Sequence, residues 1–233
     1  MKIRLDLSTN YSKKRRLKRN LKFVIIHYTG MQSEIESINR LKNPNSQVSC
    51  HYLINRRGDV VQMVEDTKIA WHAGKSKWKK FKNLNFHSIG VELVNKGHKF
   101  GYQSFSDKQI KSLIKLCKNL KKKYAIKKEN FLGHSDVAPL RKNDPGEKFP
   151  WKKLSDNNLG IWFKKSKILF KSNRKNSEFF KNLHKLGYRY FDINKRSTKD
   201  KKVIRSFQQH FVPNNVTGKL DKKTLKISHF LSH

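Results

Sequence analysis

A chain of 233 residues can build one substantial core and a small second domain. Its apolar residues come in short clusters, never in the ~18-residue run a membrane span requires. The net charge of +37 would draw polyanions of any kind, but it is spread along the chain as Lys, without the clustering and aromatic interleaving of a nucleic-acid module, so no specific nucleic-acid partner is expected.

The two cysteines, Cys50 and Cys117, make no disulfide framework and suit a reducing compartment. Charges stand where a secretory leader needs an apolar stretch, so a cytoplasmic location is expected.

Residues 1–21 read as a basic arm, mobile or lying on the surface, because like charges this dense oppose compaction. Phe23-Val24-Ile25-Ile26 is short, β-branched and uninterrupted, the pattern of a fully buried strand, and it delivers His27 at its end. Ile35, Ile38 and Leu41 give a short amphipathic helix that Asn43-Pro44 stops. Residues 51–54 and 60–64 flank Asn55-Arg56-Arg57-Gly58-Asp59 as a hairpin. In Trp71-His72-Ala73-Gly74, large aromatics beside small residues suit either a substrate groove or the anchor of a long loop.

Ser88 to Val94 is a strand with Ile89, Val91 and Leu93 on one face and Gly90 and Glu92 on the other. A carboxylate centred in such a strand costs free energy unless paired, coordinated or catalytic. Ser106 to Tyr124 is the clearest helix, with Ser106 and Gln109 spaced as a capping box. Asn130 to Gly133 is a short strand leading to His134. The loop from Gly133 to Gly146, rich in Pro and Gly, holds Ser135, Asp136, Arg141, Lys142 and Asp144. Residues 150–163 give a weaker helical signal. Residues 164–175 read as a basic linker, and residues 176–233 as a module of three short helices ending the first at Gly187.

His27, Glu92, His134, Lys142 and Asp144 all sit at strand ends or in the rigid loop. Two His and one carboxylate leave the fourth position of a zinc ion open, and bound zinc brings the pKa of water toward ~7. Glu92 could move the proton, and Lys142 could steady an oxyanion. Spacing alone does not select these residues from ten histidines.

Five ordered segments carry a resemblance: Val24 to Thr29, Ser49 to Ile54, Ala70 to Gly74, Ser88 to Glu92, and Gly133 to Pro139 continuing through Arg141-Lys142-Asn143-Asp144-Pro145-Gly146. Over residues 22–163 the chain resembles the type-2 N-acetylmuramoyl-L-alanine amidases, of peptidoglycan-recognition-like fold. The resemblance implies an α/β domain with a mixed central β-sheet flanked by helices. It implies one Zn2+ held by His27, His134 and Asp144, with Glu92 as catalytic acid/base and Lys142 near the scissile carbonyl. His51, Trp71 and His72 are the substrate-contact candidates.

The implied reaction is hydrolysis of the amide joining N-acetylmuramic acid, or its 1,6-anhydro form, to L-alanine of the stem peptide. Peptidoglycan or a muropeptide is then the partner, and the alternative is a non-catalytic peptidoglycan-binding protein of the same fold. The location expected besides the cytoplasm is periplasmic or wall-associated by a non-classical route, or release by phage lysis. Val203 to Phe211, followed by Gly218 to Leu225, resembles a three-helix peptidoglycan-binding domain over residues 176–233.

Overall fold

The β-branched run at residues 23–26 lies where such a run must, inside a sheet covered on both faces. The computed structural model describes residues 2–163 and 175–232. Its strands are β1 (Ile3–Leu5), β2 (Tyr11–Ser12), β3 (Phe23–Tyr28), β4 (Tyr52–Ile54), β5 (Val60–Gln62), β6 (Ile69–Ala70), β7 (Lys77–Trp78), β8 (Phe81–Lys82), β9 (Ser88–Leu93) and β10 (Phe131–Gly133). Its helices are α1 (Glu34–Lys42), α2 (Asp107–Tyr124), the single turn α3 (His134–Val137), α4 (Trp151–Asp156), α5 (Lys175–Leu186), α6 (Asp200–Phe211) and α7 (Lys222–Ser232).

The main sheet has the order β1-β5-β4-β9-β3-β10, with only β4 and β5 antiparallel, so the expected mixed sheet is present. Alternation decides its two faces. Val24, Ile26, Ile89, Val91 and Leu93 pack against Ile110, Leu113, Cys117 and Leu120 of α2. That helix begins as its sequence predicts, with the Ser106 hydroxyl accepting from the Gln109 amide. The box is not closed, because the Gln109 side chain instead donates to the carbonyls of Ile54 and Val94 and ties the helix to the sheet.

The opposite face is covered from a distance. Phe23 and Ile25 share a cluster with Phe179, Phe180 and Leu183 of α5 and Val203, Phe207 and Phe211 of α6. The three C-terminal helices fall where the sequence puts them, and Gly187 ends the first at φ 135°. They do not, however, close a core of their own. Each fully buried Phe contributes about 2–3 kcal/mol of hydrophobic stabilisation, and for Phe179 and Phe207 that burial joins module to sheet. The expected linker lies outside the described residues except for Lys175, which opens α5.

Two further expectations need correction. Helix α4 is only six residues long, so the weak signal over 150–163 marks one short turn-rich element. The basic arm is folded: β1 pairs with β5 and β2 with β6. Arg16 is 5% exposed, and its guanidinium donates to the carbonyls of Asn85, Ser88 and Asp66 at 2.7–2.8 Å. A charge count does not see carbonyls supplied fifty to seventy positions away. Among the described residues no helix is long and apolar enough to cross a membrane.

Candidate active site

Parallel pairing of β3 with β9 puts His27 opposite Glu92 in register, so both emerge at the same end of the sheet on the face turned from α2. Strand β10 lies on the other side of β3 and leads directly into the turn α3, which begins with His134. The loop then returns Asp144, whose backbone carbonyl accepts from the Ser135 amide at 2.8 Å. Residues separated by more than a hundred positions thereby meet: His27 Nδ1 lies 2.9 Å from His134 Nδ1 and 2.9 Å from Asp144 Oδ2, and His134 Nδ1 lies 3.0 Å from the same oxygen. All three residues are buried.

The surroundings determine which ring nitrogens carry protons. Leu84 O can only accept, so the Ser88 hydroxyl donates to it at 2.6 Å. Ser88 Oγ must then accept from His72 Nε2 at 3.2 Å, which leaves His72 Nδ1 as an acceptor for His27 Nε2 at 3.0 Å. His134 Nε2 faces the carbonyl of Ala73 at 3.2 Å, a carbonyl it shares with the Arg141 guanidinium 3.3 Å from the ring nitrogen. Both imidazoles therefore spend their N–H outward and turn lone pairs inward, toward a carboxylate oxygen. Three converging lone pairs in a buried site call for a cation, and the donor set suits zinc. The triangle is also small enough for one point to lie at the ~2 Å zinc-ligand distance from all three atoms.

The titration of the site fits this reading. Burial, reinforced by the neighbouring His134, pulls His27 down to about 4, so the ring is neutral and able to ligate at neutral pH. Burial opposes charge on Asp144, yet the adjoining imidazoles of His134 and His27 hold its carboxyl well below the usual carboxylate range. Glu92 behaves oppositely: burial, then the charge of Asp144, raises it to about 8, and Lys142 offsets only part of this. Glu92 Oε2 is buried without a hydrogen-bond partner among the described residues. A carboxyl so placed exchanges protons near neutral pH.

These groups form the floor of a groove of about 540 Å³ whose walls include Tyr28, Arg40, Trp71, His98, Phe100 and Lys142. The structure thus brings together His27, Glu92, His134, Lys142 and Asp144, with Trp71 and the edge of His72 on the wall. His51 is elsewhere, and the expectation that it contacts substrate is corrected. It is fully buried just before the interior strand β4, its ring edge-on to that of His72 at 5.5 Å, where Nδ1 accepts from the Gly90 amide at 2.9 Å and Nε2 faces Lys68 O and the Arg16 guanidinium.

His72 is mainly a support for His27. Gly90 makes room for it, since a Cβ there would come within 2.3 Å of His72 Cγ. Asn85 Oδ1 accepts from both the His72 and Ala73 amides, fixing the segment that supports both imidazoles. Sequence reasoning missed Ser88, Asn85 and Arg16. The one available signal was a glycine inside an otherwise apolar strand, which marks a close approach.

Residues 17–147 match the N-acetylmuramoyl-L-alanine amidase family. The chain is 32% identical over 234 residues to the N-acetylmuramoyl-L-alanine amidase AmiD of Escherichia coli K12, covering 91% of this chain and 82% of AmiD. The structure of AmiD in complex with the substrate anhydro-N-acetylmuramic acid-L-Ala-D-γ-Glu-L-Lys superposes with a TM-score of 0.82 at 30% identity, over 94% of this chain and 91% of AmiD. AmpDH3 of Pseudomonas aeruginosa in complex with anhydromuramic pentapeptide gives a TM-score of 0.78 at 28% identity, over 95% of each chain. The 1,6-anhydro-N-acetylmuramyl-L-alanine amidase AmpD of Haemophilus influenzae is 39% identical over 108 residues, which is 46% of this chain and 56% of AmpD.

Proposed function

This chain belongs to the N-acetylmuramoyl-L-alanine amidase family, and from that premise we propose that it uses one zinc ion to hydrolyse the amide between N-acetylmuramic acid, or its 1,6-anhydro form, and L-alanine of the stem peptide. The observation that carries the zinc is the convergence of two outward-protonated imidazoles and Asp144 beside the unpartnered Glu92. Zinc held by His27, His134 and Asp144 would supply Lewis acidity and bring water ionisation toward neutral pH.

The chain's own groups do the rest. Glu92 takes the proton of the attacking water and passes it to the nitrogen of the departing L-alanine. Its position in register with His27 puts the carboxyl beside the ligand set. Lys142, on the groove wall, offers an ammonium to the oxygen that gains charge as the carbonyl becomes tetrahedral. His72 and Ala73 keep the two imidazoles from turning. Trp71 presents an aromatic surface to the substrate.

AmiD and AmpDH3 hold anhydro-muropeptides, and the likeness to each spans nearly the whole chain. That supports an anhydro-muropeptide as substrate here. We assign residues 176–233 a second task, contact with the peptidoglycan polymer, on their resemblance to a peptidoglycan-binding domain. Turnover of released fragments favours a cytoplasmic location, which cell fractionation would test.

Purified protein should carry about one zinc and release L-alanine-headed peptides from anhydro-muropeptides. Full activity after chelation, or in Asp144→Ala, would overturn the metal assignment. Comparing rates on intact sacculi and on anhydro-muropeptides separates the polymer from the fragment.

A further inference from the structure

Asp136 lies two residues after His134 and is 1% exposed. Its carboxylate accepts three hydrogen bonds. One is local, from the Gly133 amide to Oδ2 at 2.8 Å, which caps the turn carrying His134. The other two arrive from the C-terminal helical module: Tyr188 donates its hydroxyl to Oδ1 at 2.6 Å, and His210 donates from Nδ1 to Oδ2 at 2.8 Å.

A third side chain of the module reaches the same turn, where Ser206 Oγ donates to Ser135 O at 2.8 Å. The Ser135 amide in turn donates to Asp144 O. The peptide units around Ser135 thus link the two loop candidates for zinc ligation, and the module grips that link from the back. The grip is rigid: the His210 ring stacks on Trp151 at 3.9 Å and 13°, and the Tyr188 ring packs edge-on against Trp78 at 4.8 Å.

We propose that the C-terminal helices have a second function besides any contact with the wall: through Tyr188, Ser206 and His210 they position the turn that presents His134 and, through Ser135, Asp144. These three are positioning residues; none lines the groove. The proposal rests on the reading of His134 and Asp144 as zinc ligands. Its structural half does not, because the clamp on Gly133 and Ser135 exists whatever the ion. A wall-binding module that was merely tethered would have no reason to send three polar side chains into the back of the catalytic loop. Burying them without these partners would leave unsatisfied polar groups.

The test uses the full chain with Tyr188→Phe, Ser206→Ala and the double variant, which remove hydroxyls and keep the surrounding packing. Two quantities are read. The first is hydrogen exchange of the Gly133 and Ser135 amides in chelator-treated protein. The second is zinc affinity by chelator competition. Leu225→Ala, in the shared core at α7 and outside the hydrogen bonds to Asp136, serves as a control for general loss of stability.

Exchange at the two amides should quicken about tenfold or more in the double variant. Zinc should bind about tenfold more weakly, in the range expected when a supporting partner of a ligand is lost. The Leu225→Ala control should lower the melting temperature without either effect. Unchanged exchange in the double variant overturns the proposal, as does an equal effect in the control. If the parent chain binds no zinc, the catalytic reading fails, and the exchange experiment still decides whether the clamp exists.

Discussion

Replacing Glu92 by Gln should make the zinc-free protein more stable at neutral and alkaline pH while destroying activity. The carboxyl titrates at an ordinary 4.5 in the unfolded chain and at about 8 in the fold, where burial and the charge of Asp144 oppose ionisation. A group shifted upward in this way costs nothing below pH 4.5. Its penalty builds as pH rises, because the unfolded chain releases the proton first, and it levels off above about pH 8.

Each pH unit of separation is worth about 1.4 kcal/mol. The interval from 4.5 to 7 therefore costs the native state about 3 kcal/mol, approaching about 5 kcal/mol above pH 8. Gln brings no charge but still buries an amide, so a net gain of about 1–3 kcal/mol is expected at pH 7. For a chain of this size that is roughly 3–10 °C in melting temperature.

The assay is thermal unfolding of chelator-treated parent and variant at pH 4.5, 7 and 8.5. The gap should be near zero at the lowest pH and widen upward. A variant that melts with or below the parent at pH 8.5 would refute the argument, as would a gap independent of pH. With zinc restored, the variant should keep the metal and lose about 10²–10⁴-fold in turnover, the usual worth of a positioned acid/base.

The supports of the site carry the remaining predictions. Gly90→Ala pushes a Cβ into His72, so a loss of about 1–3 kcal/mol and weaker zinc binding are expected; chelator competition with unchanged affinity would contradict the packing described. His72→Phe keeps the ring and removes both hydrogen bonds. Zinc affinity should fall about 10–100-fold with the fold retained, and a retained affinity would show that His27 needs no such support. Arg16→Met strands the carbonyls of Asn85, Ser88 and Asp66, at a cost of about 3 kcal/mol in urea unfolding. A change below about 1 kcal/mol would mean that Arg16 is a solvated residue of the arm after all.

How much of this was legible in the sequence depended on whether the relevant contacts were local. Strand β3, strand β9 and helix α2 follow from runs and periodicities contained within each segment, and they appear within a residue or two of their expected bounds. Strand ends and a Pro- and Gly-rich loop narrowed the candidates for the site, but spacing did not select among ten histidines, and the set rested on the family resemblance. His51 belongs to a matched motif too, but motif membership does not say on which side of a strand edge a ring falls; its bond from the Gly90 amide puts it behind the site.

In the sequence Arg16 is one more charge in a basic stretch, since its four carbonyl partners and the His51 imidazole come from distant segments. The helices of residues 175–232 were visible from their apolar stripes. Their docking was not, because Phe23 and Ile25 gave no indication of which element would cover that face of the strand.

That docking has a consequence for synthesis. Strand β3 emerges from the ribosome early, yet its partners on one face, Phe179 to Phe211, are translated more than a hundred and fifty residues later. Until then Phe23 and Ile25 lack that cover, and the turn at Asp136 lacks its outer clamp. Helices α5 and α6 thus complete the fold around a strand made long before them. An amidase activity that depends on that clamp would be withheld from the nascent chain until those helices had been made.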